Sequence, residues 1–227
     1  MHILQIDASS TLCSVAMAQD GRLLHMEIND EPLQHGRDIN ILTDELLSKC
    51  GCSMQDIDAV SVNSGPGSYT ALRIGMATAK GLCYGLDIPL LAPSGLDILV
   101  DYAMKKYPGA AYYIPMIDAR RMEVYTTDPV RNLDQPMNYK AKILNEMSYS
   151  ALIEQKVCFI GSGVKKWKDL WPEHNQWIGA DVEVDAGMMS RISDQLLKSD
   201  NISNLFATTP IYIKKPNITT SKKVYFN

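Results

Sequence analysis

The sequence predicts an α/β protein of two related lobes, each a mixed sheet flanked by helices. Three observations predict it. Along residues 1–103 the apolar and turn patterns run β-β-β-α-β-α-β-α, a hairpin-rich start followed by alternating units. The pattern then restarts: Ile114-Pro-Met-Ile-Asp118-Ala119 has the form of Leu4-Gln-Ile-Asp7-Ala8, an apolar strand closing on Asp-Ala. Finally, 227 residues with 46% apolar and 21% charged side chains suit a chain that buries a sizeable core. We place the lobes at 1–103 and 104–227, the second the leaner in regular elements, with its tail packing back on the first.

Residues 3–8 read as a buried strand ending in polar Asp7-Ala-Ser-Ser-Thr11. Cys13 to Ala18 and Leu23 to Ile28 follow as a hairpin, because Asp20-Gly21 is a strong turn signal. A polar stretch with Pro32 leads to a helix over His35–Cys50, apolar at Ile39, Leu42, Leu46 and Leu47. The strand 57–62 runs into Ser64-Gly65-Pro66-Gly67-Ser68. In that turn the two glycines can take backbone angles closed to other residues, and Pro66 fixes φ between them. A helix to about Leu86 comes next, then a short strand at Pro89–Ala92 and a helix near Ser94, where Ser94 and Asp97 are capping residues. In the second half, Arg120-Arg121 turns into the strand Met122–Thr126. The strand Val157–Ile160 ends in Gly161-Ser-Gly163, and a helix over 186–198 precedes a tail strand, Pro210 to Pro216.

The glycine turn and its helix pose the functional question. Such a turn can aim backbone N–H groups at an anion. The helix carries small residues at Ala71, Gly75 and Ala79, and again at Ala77, Gly81 and Gly85, so two of its ridges allow close approach of another helix. Either the turn holds phosphate or the helix is an assembly surface.

A net charge of −4 gives no global basic field for nucleic acid or an anionic membrane. With no basic-then-apolar leader and no apolar run near ~20 residues, the sequence reads as cytoplasmic. Its five cysteines then read as reduced thiols without a special role; Cys50-Gly-Cys52 has the wrong spacing for a redox pair.

Four stretches carry a family resemblance: Ile6-Asp7-Ser9-Ser10; Ser64 through Gly75 with Ala79-Lys80-Gly81-Leu82; Asp118-Ala119-Arg120 with Glu123-Val124-Tyr125; and Pro210-Ile-Tyr-Ile. The chain resembles the TsaB (YeaZ) family, within the actin-like ATPase (ASKHA, RNase H-like) fold. The resemblance implies a non-catalytic subunit required for N6-threonylcarbamoyladenosine at position 37 of tRNAs reading codons that begin with A. It implies pairing with the catalytic paralogue TsaD, which the subunit stabilises and activates. It also implies assembly with the ATPase TsaE, a homodimer when alone, tRNA contact only through the complex, and no membrane. ATP is used by the wider complex and pathway, with no cofactor turned over in this chain.

Where the catalytic paralogue carries a His-x-x-x-His metal pair, this sequence has Gly95 and Leu99, which cannot grip an ion. The four histidines, His2, His25, His35 and His174, are scattered. We therefore expect no catalytic residue and no metal. Asp7 and Ser9 match the superfamily's phosphate position, with Asp118, Gly161 and Gly163 opposite, and are expected as vestigial nucleotide contacts. The subunit interface is expected at His35, Ile39, Leu42, Leu46, Ala71, Gly75 and Ala79, although Gly36 and Arg37 replace the family's usual Ser and Glu. Arg73 and Lys80 stay unassigned. The basic C-terminal lysines, Lys214, Lys215, Lys222 and Lys223, read as a solvated tail. The alternatives are an ATP-dependent small-molecule kinase of the same superfold and a metalloprotease-like hydrolase. The missing His pair shifts the weight to assembly.

Overall fold

The computed structural model describes residues 1–29, 35–134, 136–173 and 176–214, with the backbone alone at 35–37. The expectations placed on Pro32, His174, Lys215, Pro216, Lys222 and Lys223 lie outside the described residues. The first half holds β1 (His2–Asp7), β2 (Cys13–Gln19), β3 (Arg22–Asn29), α1 (His35–Cys50), β4 (Ala59–Val62), α2 (Tyr69–Leu86), β5 (Leu90–Leu91) and α3 (Gly95–Lys106). The sheet order is β3-β2-β1-β4-β5, antiparallel through the hairpin and parallel from β1 to β5. Asp20 and Gly21 take left-handed angles at the β2–β3 tip, as the Asp-Gly signal requires.

Alternation along the strands decides the two faces of this sheet. Leu4, Ile6, Val15, Met17, Val60 and Val62 join one core with Ile39, Leu42 and Leu46 of α1 and Ala71, Met76 and Ala79 of α2. The opposite face carries Ile3, Ala59 and Leu91, together with polar Gln5, Ser14 and Ser61. A 3-10 turn (Ala186–Met189) and α4 (Ser190–Lys198) cover that face. Its buried polar groups are matched: the Ser193 hydroxyl donates to Ser61 Oγ (2.8 Å), and Ala186 N–H donates to Ser14 Oγ (2.9 Å).

The second half holds β6 (Tyr112–Pro115), β7 (Ile117–Asp118), β8 (Glu123–Thr126), β9 (Lys140–Ile143), β10 (Val157–Ile160) and β11 (Ile178–Ala180). Its sheet divides into a parallel ladder, β11-β10-β6, and an antiparallel one, β7-β8-β9, joined where the chain passes from Pro115 through Met116 to Ile117. One face of the parallel ladder packs on Ile98, Leu99 and Ala103 of α3 with Met189 and Ile192. The other face packs Ile114 and Phe159 on Trp167 and Trp177. The division expected at 103/104 falls inside α3. The tail strand expected from Pro210 is corrected: residues 210–214 form no strand, and their main chain rests on the first lobe by single contacts. All five cysteines are free, and no helix among the described residues is long and apolar enough to cross a membrane.

Candidate functional site

The turn after β4 is built by its neighbours. Asn63, at the strand end, donates from Nδ2 to Asp7 Oδ1 (2.8 Å) and Ser9 Oγ (3.0 Å), while its Oδ1 accepts from Gly65 N–H (2.9 Å). Ser68 N–H donates to the Ser9 carbonyl at 2.7 Å, and a Cβ on Gly67 would lie 2.2 Å from that oxygen. Glycine is required at 67 because the turn lies directly on the loop after β1. The Gly65 carbonyl accepts Gly95 N–H at 2.8 Å, and the Ser64 carbonyl accepts Ile211 N–H at 2.7 Å. Ser64, Gly65 and Pro66 are buried as a result, and Gly67 and Ser68 stay exposed.

The same geometry sets the surroundings of Asp7. Asp7 is fully buried, accepts Ser9 N–H at 3.1 Å, and has no partner for Oδ2. Burial pushes its carboxyl up to about 6, against hydrogen bonds from Ser9 and Asn63 that pull it down. The loop after β1 and the turn are in direct contact here, through the Ser68 N–H to Ser9 carbonyl bond. Asp118 is exposed and ion-paired to Lys166 (2.8 Å), and its main-chain N–H donates to Ser162 Oγ (3.2 Å). Gly161 sits at φ +119°, where a Cβ would lie 2.3 Å from the Met116 carbonyl oxygen, and a Cβ on Gly163 would meet Val124 at 2.5 Å. Ser9, Asp118, Gly161 and Gly163 are thus engaged in internal packing or pairing, while Asp7 keeps one carboxylate oxygen, Oδ2, without a partner among the described residues. A hollow of about 380 Å³ on the second lobe is lined by Met122, Leu144, Asn145, Glu146, Met147 and Leu170, and by neither Asp7 nor Asp118. Among the described residues, no three His, Cys, Asp or Glu side chains are grouped to hold a metal.

The expected interface needs a correction of face. Ile39, Leu42, Leu46, Ala71, Gly75 and Ala79 are buried in the chain's own core, so their side chains cannot meet a partner. His35 stands in the first turn of α1, and its side chain lies outside the described residues. A Cβ on Gly75 would meet Ala8 at 3.4 Å and Val62 at 3.7 Å. The second small-residue ridge of α2 faces outward: Ala77, Gly81 and Gly85 are exposed, and nothing lies within 4 Å of a Cβ built on either glycine. Tyr84, 73% exposed, stands on the same side, and Ile41 is the exposed apolar residue of α1.

The structure also assigns Arg73 and Lys80, which sequence reasoning left open. Both hold a C-terminal strap, residues 203–214, against α2. The Arg73 guanidinium lies 4.0 Å over the Tyr69 ring and donates from Nε to the Tyr212 hydroxyl (3.1 Å). The two tyrosine rings stand 4.9 Å apart. Lys80 Nζ donates to the Phe206 carbonyl (3.3 Å), Ser203 bridges to Leu90, and Lys214 pairs with Glu123 of β8. Sequence reasoning also missed Asn63; the signal was its place at a strand end, where an Asn side chain can bond the backbone two residues on.

Comparisons with known proteins agree with this architecture. The family model described as "TsaD: tRNA N6-adenosine threonylcarbamoyltransferase" matches residues 32–214. The chain is similar to the Escherichia coli (strain K12) "tRNA threonylcarbamoyladenosine biosynthesis protein TsaB", 32% identical over 181 residues and covering 76% of each chain. A solved structure described as "YeaZ from Pseudomonas aeruginosa" superposes with a TM-score of 0.75 at 24% identity, over 93% of this chain and 99% of that one. The activator of the 2-hydroxyisocaproyl-CoA dehydratase from Clostridium difficile, solved with bound ADPNP, gives a TM-score of 0.52 at 11% identity, over 90% and 99%. The fold is the actin-like ATPase fold.

Proposed function

The chain belongs to the TsaB (YeaZ) family, and we propose that it is the partner subunit of a tRNA-modifying enzyme. In this reading it binds TsaD, stabilises and activates it, and so takes part in forming N6-threonylcarbamoyladenosine at position 37 of tRNAs reading codons that begin with A. Alone it modifies no tRNA and turns over no ATP. TsaE joins the assembly, and a second copy of this chain takes the TsaD face when TsaD is absent.

The observation that carries this reading is the two-sided use of small residues on α2. One ridge, Ala71-Gly75-Ala79, brings the helix onto its own sheet; the other, Ala77-Gly81-Gly85, is open. A partner helix laid along the open ridge can approach the main chain closely, and Tyr84 supplies an aromatic anchor beside it. The closed contact between Ser9 and Ser68 supports the absence of ATP turnover, and weighs against the kinase alternative.

Reconstitution tests the proposal. TsaD supplied with threonylcarbamoyl-adenylate and tRNA is expected to form the modified nucleoside only when this chain is added. Gly81→Leu is expected to keep the fold, since a side chain there meets nothing, yet to abolish co-purification with TsaD. Full modification by TsaD without this chain would falsify the role.

A further inference from the structure

The β7–β8 hairpin ends in two successive left-handed residues, Arg120 (φ +70°) and Arg121 (φ +51°). The β2–β3 hairpin also has two at its tip, and there the chain uses Asp20 and Gly21, residue types that tolerate this backbone. Two arginines at such positions are strained, and strain of this kind persists where the surroundings over-determine it. Here they do. Asp118 Oδ1 accepts Arg120 N–H, Ala119 N–H donates to the Glu123 carbonyl (3.1 Å), and Glu123 N–H donates to the Arg120 carbonyl (3.2 Å). Lys166 Nζ clamps both arms, donating to Asp118 Oδ1 and to the Glu123 carbonyl.

The charges at this tip do not cancel. Both carboxylates of the hairpin are already taken, Asp118 by Lys166 and Glu123 by Lys214. Arg120 and Arg121 are exposed, and among the described residues neither guanidinium has a hydrogen-bond, ion-pair or ring partner. The hairpin therefore presents two uncompensated guanidinium forks on a rigid mount, in a chain whose net charge is −4. Guanidinium matches phosphate oxygens in a planar, bidentate geometry.

We propose that this tip is an anion-binding site for phosphodiester oxygens, and that the polyanion it holds is the backbone of the tRNA. The inference rests on the proposed place of the chain in tRNA modification, and adds to it a direct contact from this subunit.

The test uses the complex of this chain with its TsaD. It is titrated with a labelled tRNA transcript that reads a codon beginning with A, at several salt concentrations. Arg120→Asn/Arg121→Gly is the decisive variant, because it relieves the backbone while removing both charges. Its Tm is expected to rise by about 2–4 °C. Affinity for tRNA is expected to fall roughly tenfold, with the salt slope reduced by about 2. Arg120→Lys/Arg121→Lys, which keeps the charge but loses the bidentate fork, is expected to keep the salt slope and recover only part of the affinity. Lys105→Glu, exposed on α3, serves as the control and leaves it unchanged. Unaltered tRNA affinity in a folded, TsaD-bound double variant overturns the proposal and leaves the family function standing. Loss of ATP binding with tRNA binding intact assigns the arginines to a nucleotide phosphate and overturns it equally. Failure of the wild-type pair to modify tRNA overturns the function, and this inference with it.

Discussion

The turn after β4 and the turn after β10 occupy equivalent places in the two halves, and both need glycine because a backbone oxygen lies where a Cβ would go. At Gly67 that oxygen belongs to Ser9, in the loop after β1; at Gly161 it belongs to Met116, where β6 passes into β7. The two turns then diverge. The first launches the 18-residue helix α2, which covers its sheet and still has a face left over. The second leads to a 3-10 turn and to Trp167, Trp171 and Trp177, which stack around Phe159 at centroid distances of 5.0–5.5 Å. The same local chemistry thus serves an outward-looking helix in one lobe and an inward-looking aromatic core in the other. A glycine turn marks close packing in both; the element launched from it, helix or aromatic cluster, decides whether a surface is left for a partner.

The contrast between the turns is tested most severely at the glycines themselves. Gly161→Ala adds a backbone clash to a left-handed angle and is expected to cost about 4 kcal/mol. Gly67→Ala, with the clash alone, is expected to cost about 3 kcal/mol. Urea unfolding checks both, and hydrogen exchange separates them: Gly67→Ala should deprotect α2, Gly161→Ala the strand β10. Equal deprotection of both elements in either variant would mean that the halves do not respond separately.

Asp7 gives a smaller effect, of opposite sign. Its folded carboxyl holds a proton up to about pH 6, whereas the unfolded chain releases it near 3.8. Between those values the folded state binds more protons, so this group's contribution to stability falls as pH rises and stays lost above pH 6. Asp7→Asn is therefore expected to stabilise the protein by roughly 2–3 kcal/mol at pH 7 and by almost nothing below pH 4. Denaturation of both proteins across that range reads the difference, and a gain independent of pH would refute the buried-carboxylate account.

The smallest change is at the strap. Arg73→Ala removes the clamp between Tyr69 and Tyr212 and is expected to speed exchange of the Ile211 amide roughly tenfold without unfolding α2. Unchanged exchange would show that Ser64 and Glu123 hold the strap without it.

Much of the fold was legible along the chain. The bounds of α1 follow from apolar spacing at Ile39, Leu42 and Leu46, and the β2–β3 turn follows from Asp20-Gly21. By contrast β9, reading Lys-Ala-Lys-Ile, alternates over only four residues, and β11, reading Ile-Gly-Ala, has no alternation at all; the pairing partners make both of them strands. Of the strand expected at Pro210–Pro216, the described residues 210–214 include strand-like Ile211-Tyr212-Ile213 but join no ladder. At the candidate site, the glycine turn and both small-residue ridges were visible, whereas the closure of Ser9 onto Ser68 was not, because that contact spans 59 positions.

That a glycine turn launches a helix with two close-packing ridges could be read from the amino-acid order alone, because backbone freedom and side-chain size are local properties. Which ridge faces inward could not. Ala71-Gly75-Ala79 and Ala77-Gly81-Gly85 are alike in size and spacing, so neither is favoured until α2 is laid on the sheet. There Leu72, Met76 and Cys83 carry the first ridge into the core, leaving the second open.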